Sequence, residues 1–356
     1  MSIGLQAKSE ELAIETLHEL GCTDGLPVIL PTQERVDRMI LATGLDGDYV
    51  LGEMGPALGV ATVEKVAISA VMAGCLPDYI PIVIASVKAI LDSSFDLSEM
   101  QSTTHCTAPL IIVNGPARHG CGPIASGFGA LGPGHRANAT IGRALRLTMI
   151  NIGGGKPGIS DMALLGHPGK FTYCLAEDEE NSPFQPLHVD RGFSQDESVV
   201  TVIGAEAPHS VLHSIAAEDS DDYKRLLDLL AIGMTNLATN NAILRNGSAV
   251  VVLNPDHAEV FARMGMDRHS VTEELVARCT HTRDNIERYG ASFINWSKRE
   301  DMYSCFSNPQ QIILITAGGN GLYSAVMPTW CAGAHRNPAV SMLVEENQFC
   351  EIPSFT

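Results

Sequence analysis

Ser248–Gly265, SAVVVLNPDHAEVFARMG, writes a strand, a turn and a helix in a single run. AVVVL is short, apolar and β-branched, the composition of a buried strand. Asn254-Pro255 then turns the chain, and DHAEVFARMG returns as a helix. The same phrase occurs earlier. APLIIVNGP, Ala108–Pro116, has the length and branching of a buried strand and stops on Asn114 as the later one stops on Asn254. Two strands with one ending suggest an internal duplication.

Working outward, ESVVTVIGAE and QQIILITAGGNG read as further strands, the second breaking on glycine. SDDYKRLLDLLAIGMTNLA reads as a helix, and SVTEELVARCTHTRDNIERYG as another, with Ser270 as its cap. Nearer the start, Ser9–Leu20 has amphipathic spacing with Ser9 as cap. TVEKVAISAVMAGC and PDYIPIVIASVKAIL are apolar nearly all round, as buried helices are, and would equally suit the interface of a homo-oligomer. A further helix is predicted from about Asn138 to Ile150. Strands alternating with helices predict an α/β protein with mixed sheets and flanking helices, in two similar α/β halves. The halves are 1–180, with a glycine-rich anion-binding loop, and 181–356. The charge-rich stretch LAEDEENSPFQPLHVDRGFSQDES is the boundary or lid between them.

The chain has 356 residues, 45% of them hydrophobic, enough for one large or two medium cores. Lys and Arg number 23 against 41 Asp and Glu, a formal net charge of −18. Such a field repels nucleic acid and anionic membranes, and a small anionic ligand would need a local cationic pocket. The N-terminal stretch lacks a basic region followed by an apolar core, and no run is long enough to span a bilayer. Nine cysteines without a CxxC pair fit reduced thiols in the cytoplasm.

Five stretches could carry chemistry. In GALGPGHRANATIGRALRLTMINIGGGKPG, Gly129–Gly158, His135 and Arg136 precede a helix start that Asn138 or Thr140 would cap. Free N–H groups at a helix start favour an anion, so His135, Arg136, Asn138 and Thr140 are read as an anion cradle for a carboxylate. GHPGKFTYCLAEDEENSPFQPLHVD offers Lys170 and Glu177 as a proton-transfer pair, and His167 and His188 as metal-ligand candidates. TTHCTAPLIIVNGPARHGCG places His105 beside Cys106, and His119 two positions before Cys121. A neighbouring imidazolium activates a thiol, and Cys121 in its glycine-rich loop is the preferred nucleophile. His105 and Cys106, if on a strand, would point to opposite faces. GCTDGLP brings Asp24 in a tight turn, and ITAGGNGLYS a glycine loop after a strand. Asn114 joins the candidates because ligands of α/β sheets collect at the carboxyl ends of strands.

Together GCTDGLPVILPT, EKVAISAVMAGC, QSTTH, GPGHRANATIGRALRL, GHPGK, AEDEENSPFQPLHVDRGF and NPDHAEVFARMG resemble a family of soluble bacterial proteins. The family consists of large proteins found beside small thiol or selenol proteins with a UGSC or CGSC motif. The resemblance spans about Gly21 to Gly265 and implies a catalytic or substrate-binding subunit that works with a small redox-active partner. It assigns no reaction and no catalytic residue. This chain has no GSC run, so a CGSC-type thiol would come from another polypeptide.

Three functions remain open at this point. The preferred one is an enzyme, a lyase or hydrolase, acting on a small carboxylate-bearing molecule. His105, Lys170 and Glu177 would move protons, Cys121 would serve as nucleophile, and Asp24, Asn114, His135, Arg136, Asn138 and Thr140 would line the substrate. The second is a metal-dependent hydrolase or lyase built on His167 and His188; no cofactor follows from the sequence itself. The third is a non-catalytic assembly partner of a small redox protein.

Overall fold

The structure, a computed structural model, describes residues 4–120, 122–216, 221–290 and 300–345. It is an α/β fold with two four-stranded mixed sheets. The first runs Val340–Leu343, Val199–Ala205, Ala108–Asn114, Cys174–Ala176. The second runs His209–Leu212, Tyr323–Met327, Ala249–Leu253, Ile312–Thr316. In each sheet the last two strands are parallel and the other neighbours antiparallel.

The match extends to register, and the sheets exchange their edges. Val199–Ala205 continues into His209–Leu212, the edge of the second sheet; Tyr323–Met327 leads on to Val340–Leu343, the edge of the first. The two crossing segments pair with each other. Glu206 N–H donates to Pro328 O (2.9 Å), Trp330 N–H to Gly204 O (3.4 Å), and Ala205 bridges Thr329. A local two-fold that exchanges Ala205 with Thr329 carries Val199 onto Tyr323 and Asn114 onto Asn254. Outlying bonds obey it too. Glu177 N–H donates to Val113 O (3.1 Å) as Ala317 N–H does to Leu253 O (2.9 Å). Val344 N–H donates to Ser198 O (2.8 Å) as His213 N–H does to Leu322 O (2.9 Å).

Alternation along the strands builds four layers. Leu110, Ile112, Leu175 and Ile203 of the first sheet pack against Val250, Val252, Ile313 and Ile315 of the second. Ile111, Val113, Val200 and Val202 face the other way, onto the helices Val63–Ala73, Ile80–Leu91 and Arg136–Asn151. Val251, Leu253 and Leu314 likewise face the helices Asp222–Met234, Pro255–Arg263 and Arg268–Arg278. Strands covered on both faces read as continuous apolar runs, which is why AVVVL and LIIV stand out in the sequence. The two apolar N-terminal helices lie within the chain's own core. Among the described residues no helix is long and apolar enough to cross a membrane.

Some local expectations shift. The long helix begins at Arg136, with His135 rather than Asn138 or Thr140 at its N-cap. The stretch after Ser270 is a helix to Arg278, a short strand Thr280–Thr282 and a second helix Arg283–Tyr289. Two β-branched threonines there favour extended backbone, and Thr282 caps the second helix by accepting from Asn285 N–H. The first helix is capped by Asp267, which accepts from Ser270 N–H (2.8 Å).

Candidate functional site

Ala108 pairs with Ala205, so the residues just before one and just after the other lie side by side. His105 and Cys106 precede the strand rather than belong to it. Thr107 N–H donates to His105 O (3.0 Å), a tight turn centred on Cys106. That turn removes the alternation that would separate the two side chains. His105 Nε2 stands 2.8 Å from Glu206 Oε1, with the two side chains 17% and 22% exposed. The donor atoms of His105, Cys106 and Glu206 all lie within 4.8 Å of one another. Among the described residues they are the group whose donors come close enough to hold a metal ion.

Several elements hold this cluster in place. Glu206 is fixed through its backbone, whose N–H reaches Pro328 O and whose carbonyl accepts from Tyr173 Oη (2.8 Å). Tyr173 is buried in the layer between the two sheets, and the helix Arg136–Asn151 comes close to its backbone. Gly142 permits that approach: a Cβ there would meet Thr172 Oγ1 and Tyr173 N at 2.5 Å. His167 packs edge-on against Tyr173 at 5.6 Å. Its Nε2 lies 3.2 Å from Ala205 O, and its Nδ1 accepts from Gly169 N–H (3.1 Å). These partners define a neutral ring with the proton on Nε2. Burial lowers the His167 pKa, with Lys170 and His105 adding to the effect.

Lys170 ends the short 3₁₀ turn Pro168–Lys170 and ion-pairs with Asp161 (2.8 Å), which Arg146 also holds (2.8 Å). Burial pulls the Lys170 ammonium below its ordinary 10.5, although Asp161 opposes the change. Burial works against the Asp161 carboxylate, yet Lys170 and Arg146 keep its carboxyl below 3.8. Burial and then Glu206 push the Cys106 thiol above 9.0, with Lys170 easing it in the other direction. The result is a part-exposed cluster of a thiol and an imidazole–carboxylate pair, with a cation partly stripped of water in its neighbourhood.

His105 thus meets Cys106 and Glu206, while Lys170 and Arg146 share Asp161; the two groups are near enough for the Lys170 charge to act on the Cys106 thiol. Glu177 and Asn114 do not join them. They sit at the far end of the Ala108–Asn114 strand, roughly 20 Å away at the rise of a strand. Glu177 is fully buried, accepting from Asn114 Nδ2 (2.6 Å), Leu187 N–H (2.8 Å) and Arg268 (2.7 Å). Arg268 also pairs with Asp190, so Glu177 is enclosed in an ion network reaching from one sheet to the helices of the other. Arg118 continues the network to Glu179 (2.9 Å) and Glu180 (2.8 Å). Beside Arg268 and Asp190 lies a cavity of about 310 Å³, bounded also by His269 and Gln310. His188 lies at this same end, fully buried, with Nδ1 3.9 Å from Glu179. His167 is at the opposite end, so these two histidines do not share one ion.

The expected anion cradle is differently occupied. Arg136 donates to Gly74 O (3.0 Å), closing the end of the helix Val63–Ala73. Asn138 is a buried latch: it accepts from Ala125 N–H and donates to Ala125, Ala130 and Cys174 carbonyls. Thr140 donates to Arg136 O (2.9 Å), and His135 Nε2 lies 3.3 Å from Phe128 O. Asp24 forms a two-toothed pair with Arg143 (2.7 and 2.8 Å). These side chains therefore hold backbone or one another. Cys121 lies outside the described residues. Glu206, Asp161, Arg146 and Tyr173 are additions that sequence reasoning missed. Glu206 has one legible signal, a lone acid closing the apolar strand ESVVTVIGAE.

The local two-fold supplies an internal control. It places Arg245, Asn246 and Trp330 where the first sheet has His105, Cys106 and Glu206. Arg245 donates to Ser304 O (2.7 Å) and lies over the Tyr303 ring (5.0 Å). Asn246 N–H donates to Cys305 O (2.8 Å), and Trp330 Nε1–H to Thr103 Oγ1 (3.1 Å). The frame folds without an acid, a thiol or an imidazole at these positions. The chain matches no family model, no curated protein and no solved structure.

Proposed function

We propose that the chain is an enzyme, a lyase or hydrolase, acting on a small carboxylate-bearing molecule at the amino end of the Ala108–Asn114 strand. The observation that carries this reading is the His105–Glu206 pair at 2.8 Å, partly exposed, with Cys106 beside it and Lys170 close by. A carboxylate that orients an imidazole makes it a better proton acceptor, the arrangement general acid–base catalysis needs. Lys170 and Arg146 together outweigh Asp161 by one positive charge, which offsets the Glu206 carboxylate and leaves the Lys170 ammonium as the cation for an anionic substrate. Lys170, with its charged form disfavoured by burial, is suited to give up a proton to a leaving group. Turnover across a panel of small mono- and dicarboxylates tests the reading. His105→Ala should abolish turnover of whichever substrate the wild type accepts, and Lys170→Met should raise KM. A wild type that turns over a substrate with both variants unimpaired would sink it.

A protein partner is the second reading, and one surface favours it. The loop between Asp161 and His167 leaves Leu164 86% and Leu165 95% exposed, and Leu164 N–H donates to Thr104 O (3.0 Å), next to His105. An apolar loop tethered at the edge of a reactive site suits docking of a small thiol protein of the CGSC type. Replacing both leucines by serine should weaken co-purification with such a partner and leave panel turnover unchanged. Undiminished co-purification would count against this reading.

A further inference from the structure

The geometry points to a transition-metal site formed by His105, Cys106 and Glu206, which we propose takes a zinc-class divalent cation. The inference rests on the reading of this cluster as the reactive site and changes one role in it: with the ion bound, His105 and Glu206 serve as ligands, and they act as the acid–base pair only without it. The three donors, one nitrogen, one sulfur and one oxygen, lie within 4.8 Å of one another. Tetrahedral coordination with metal–ligand bonds of about 2.0–2.3 Å puts donor atoms some 3–4 Å apart, so small side-chain adjustments suffice. Thiolate with imidazole excludes magnesium and calcium, which take oxygen, and selects zinc, cobalt or ferrous iron.

Three features favour a bound ion over a chance cluster. His105 keeps one ring nitrogen, Nδ1, buried without a hydrogen-bond partner, so with Nε2 on Glu206 the ring still has a donor atom to offer. The turn centred on Cys106 puts two consecutive side chains on one side, which a strand would not do. The matched positions Arg245, Asn246 and Trp330 carry no comparable donor set, so folding of the frame does not demand one. Charge also balances: binding expels the Cys106 proton to solvent, and thiolate plus carboxylate neutralise a dication. Three protein ligands leave a fourth position open, the pattern of a catalytic site. No electrons move in this step.

The test is titration of metal-free full-length protein, purified without a metal-affinity tag, with Co²⁺ and then Zn²⁺. The expected result is one Co²⁺ per chain with a sulfur-to-cobalt charge-transfer band that Zn²⁺ abolishes. Cys106→Ser should lose that band, and Glu206→Gln should weaken binding at least tenfold. His119→Ala, at an exposed pair with Glu180, should bind as wild type. The wild-type spectrum requires no variant to fold; absence of the band, or a band that survives in folded Cys106→Ser, overturns the metal site. If the band is absent while His105→Ala still abolishes turnover, the enzyme reading stands without metal. If the band is present while His105→Ala and Lys170→Met turn over substrate normally, the metal site stands and the enzyme reading falls.

Discussion

The amino ends of the two central strands share one backbone frame and differ in what it carries. Before Ala108 and after Ala205 stand His105, Cys106 and Glu206; in the matched places before Ser248 and after Thr329 stand Arg245, Asn246 and Trp330. The second set is consumed by packing, with Arg245 on a carbonyl and a ring and Trp330 on Thr103. The first keeps a half-buried thiol beside an imidazole–carboxylate pair, with one imidazole nitrogen unpartnered. Because the frame is common to both, register and burial of strands do not explain the first set. The carboxyl ends differ as well: Asn254 caps a helix and donates to Gly321 and Tyr323 carbonyls, whereas Asn114 feeds an acidic network. In that network Arg118 and Arg268 pair the carboxylates across elements of both sheets, which is the behaviour of a clamp.

The comparison can be broken most sharply at the matched amino ends. Glu206→Gln should lower turnover by about 10²- to 10⁴-fold, the usual weight of acid–base catalysis, while Arg245→Ala leaves turnover per folded molecule unchanged. Next in size is the clamp. Arg268→Met strands the buried Glu177 carboxylate and should cost about 3–5 kcal/mol in denaturant unfolding, without altering kcat. Equal stability of this variant would remove the clamp interpretation.

Two pH effects follow, smaller but signed. Lys170 loses its proton below 10.5, so a reaction that needs the ammonium declines on the alkaline side earlier than an exposed lysine would allow. Lys170→Arg should move that limb upward in a pH–rate profile; an unmoved limb assigns it elsewhere. His167 is neutral when folded, with its pKa below the unfolded 6.5. The unfolded chain therefore binds the proton first. The stability His167 contributes is complete above about 6.5 and is lost as pH falls below it. His167→Gln should flatten the decline of melting temperature on the acid side of that value. Smallest is the cap: Asn254→Ala should cost about 1 kcal/mol and leave the distant recess active.

Much of the frame was legible because strands buried on both faces announce themselves. AVVVL, LIIV and IILIT leave little alternative, and the Asn ending shared by the first two pointed to repetition. The edge strands His209–Leu212 and Val340–Leu343 were not legible, being short, part-exposed and exchanged between sheets. The recess was half legible. His105 and Lys170 were singled out by residue type, but the partner of His105 depends on a register that no local pattern states. Glu206 follows Ala205 and reaches His105 only because Ala205 pairs with Ala108. The HR pair before the long helix misled for a physical reason: a helix start offers N–H groups to an anion, yet Arg136 finds the open carbonyl of Gly74 at the end of another helix. Glu177 misled likewise, because a buried carboxylate with Arg268 at 2.7 Å has no free face.

The most direct test of where the chemistry resides is cysteine labelling, resolved by mass spectrometry, with and without the best substrate from the carboxylate panel. Cys106 is half-buried in the recess, whereas Cys75, Cys174, Cys279, Cys305 and Cys331 are buried in the cores. The account predicts slow labelling of Cys106 that substrate, or Zn²⁺, suppresses further, with Cys22 unchanged. Protection that falls elsewhere while Cys106 labels at the same rate would contradict it.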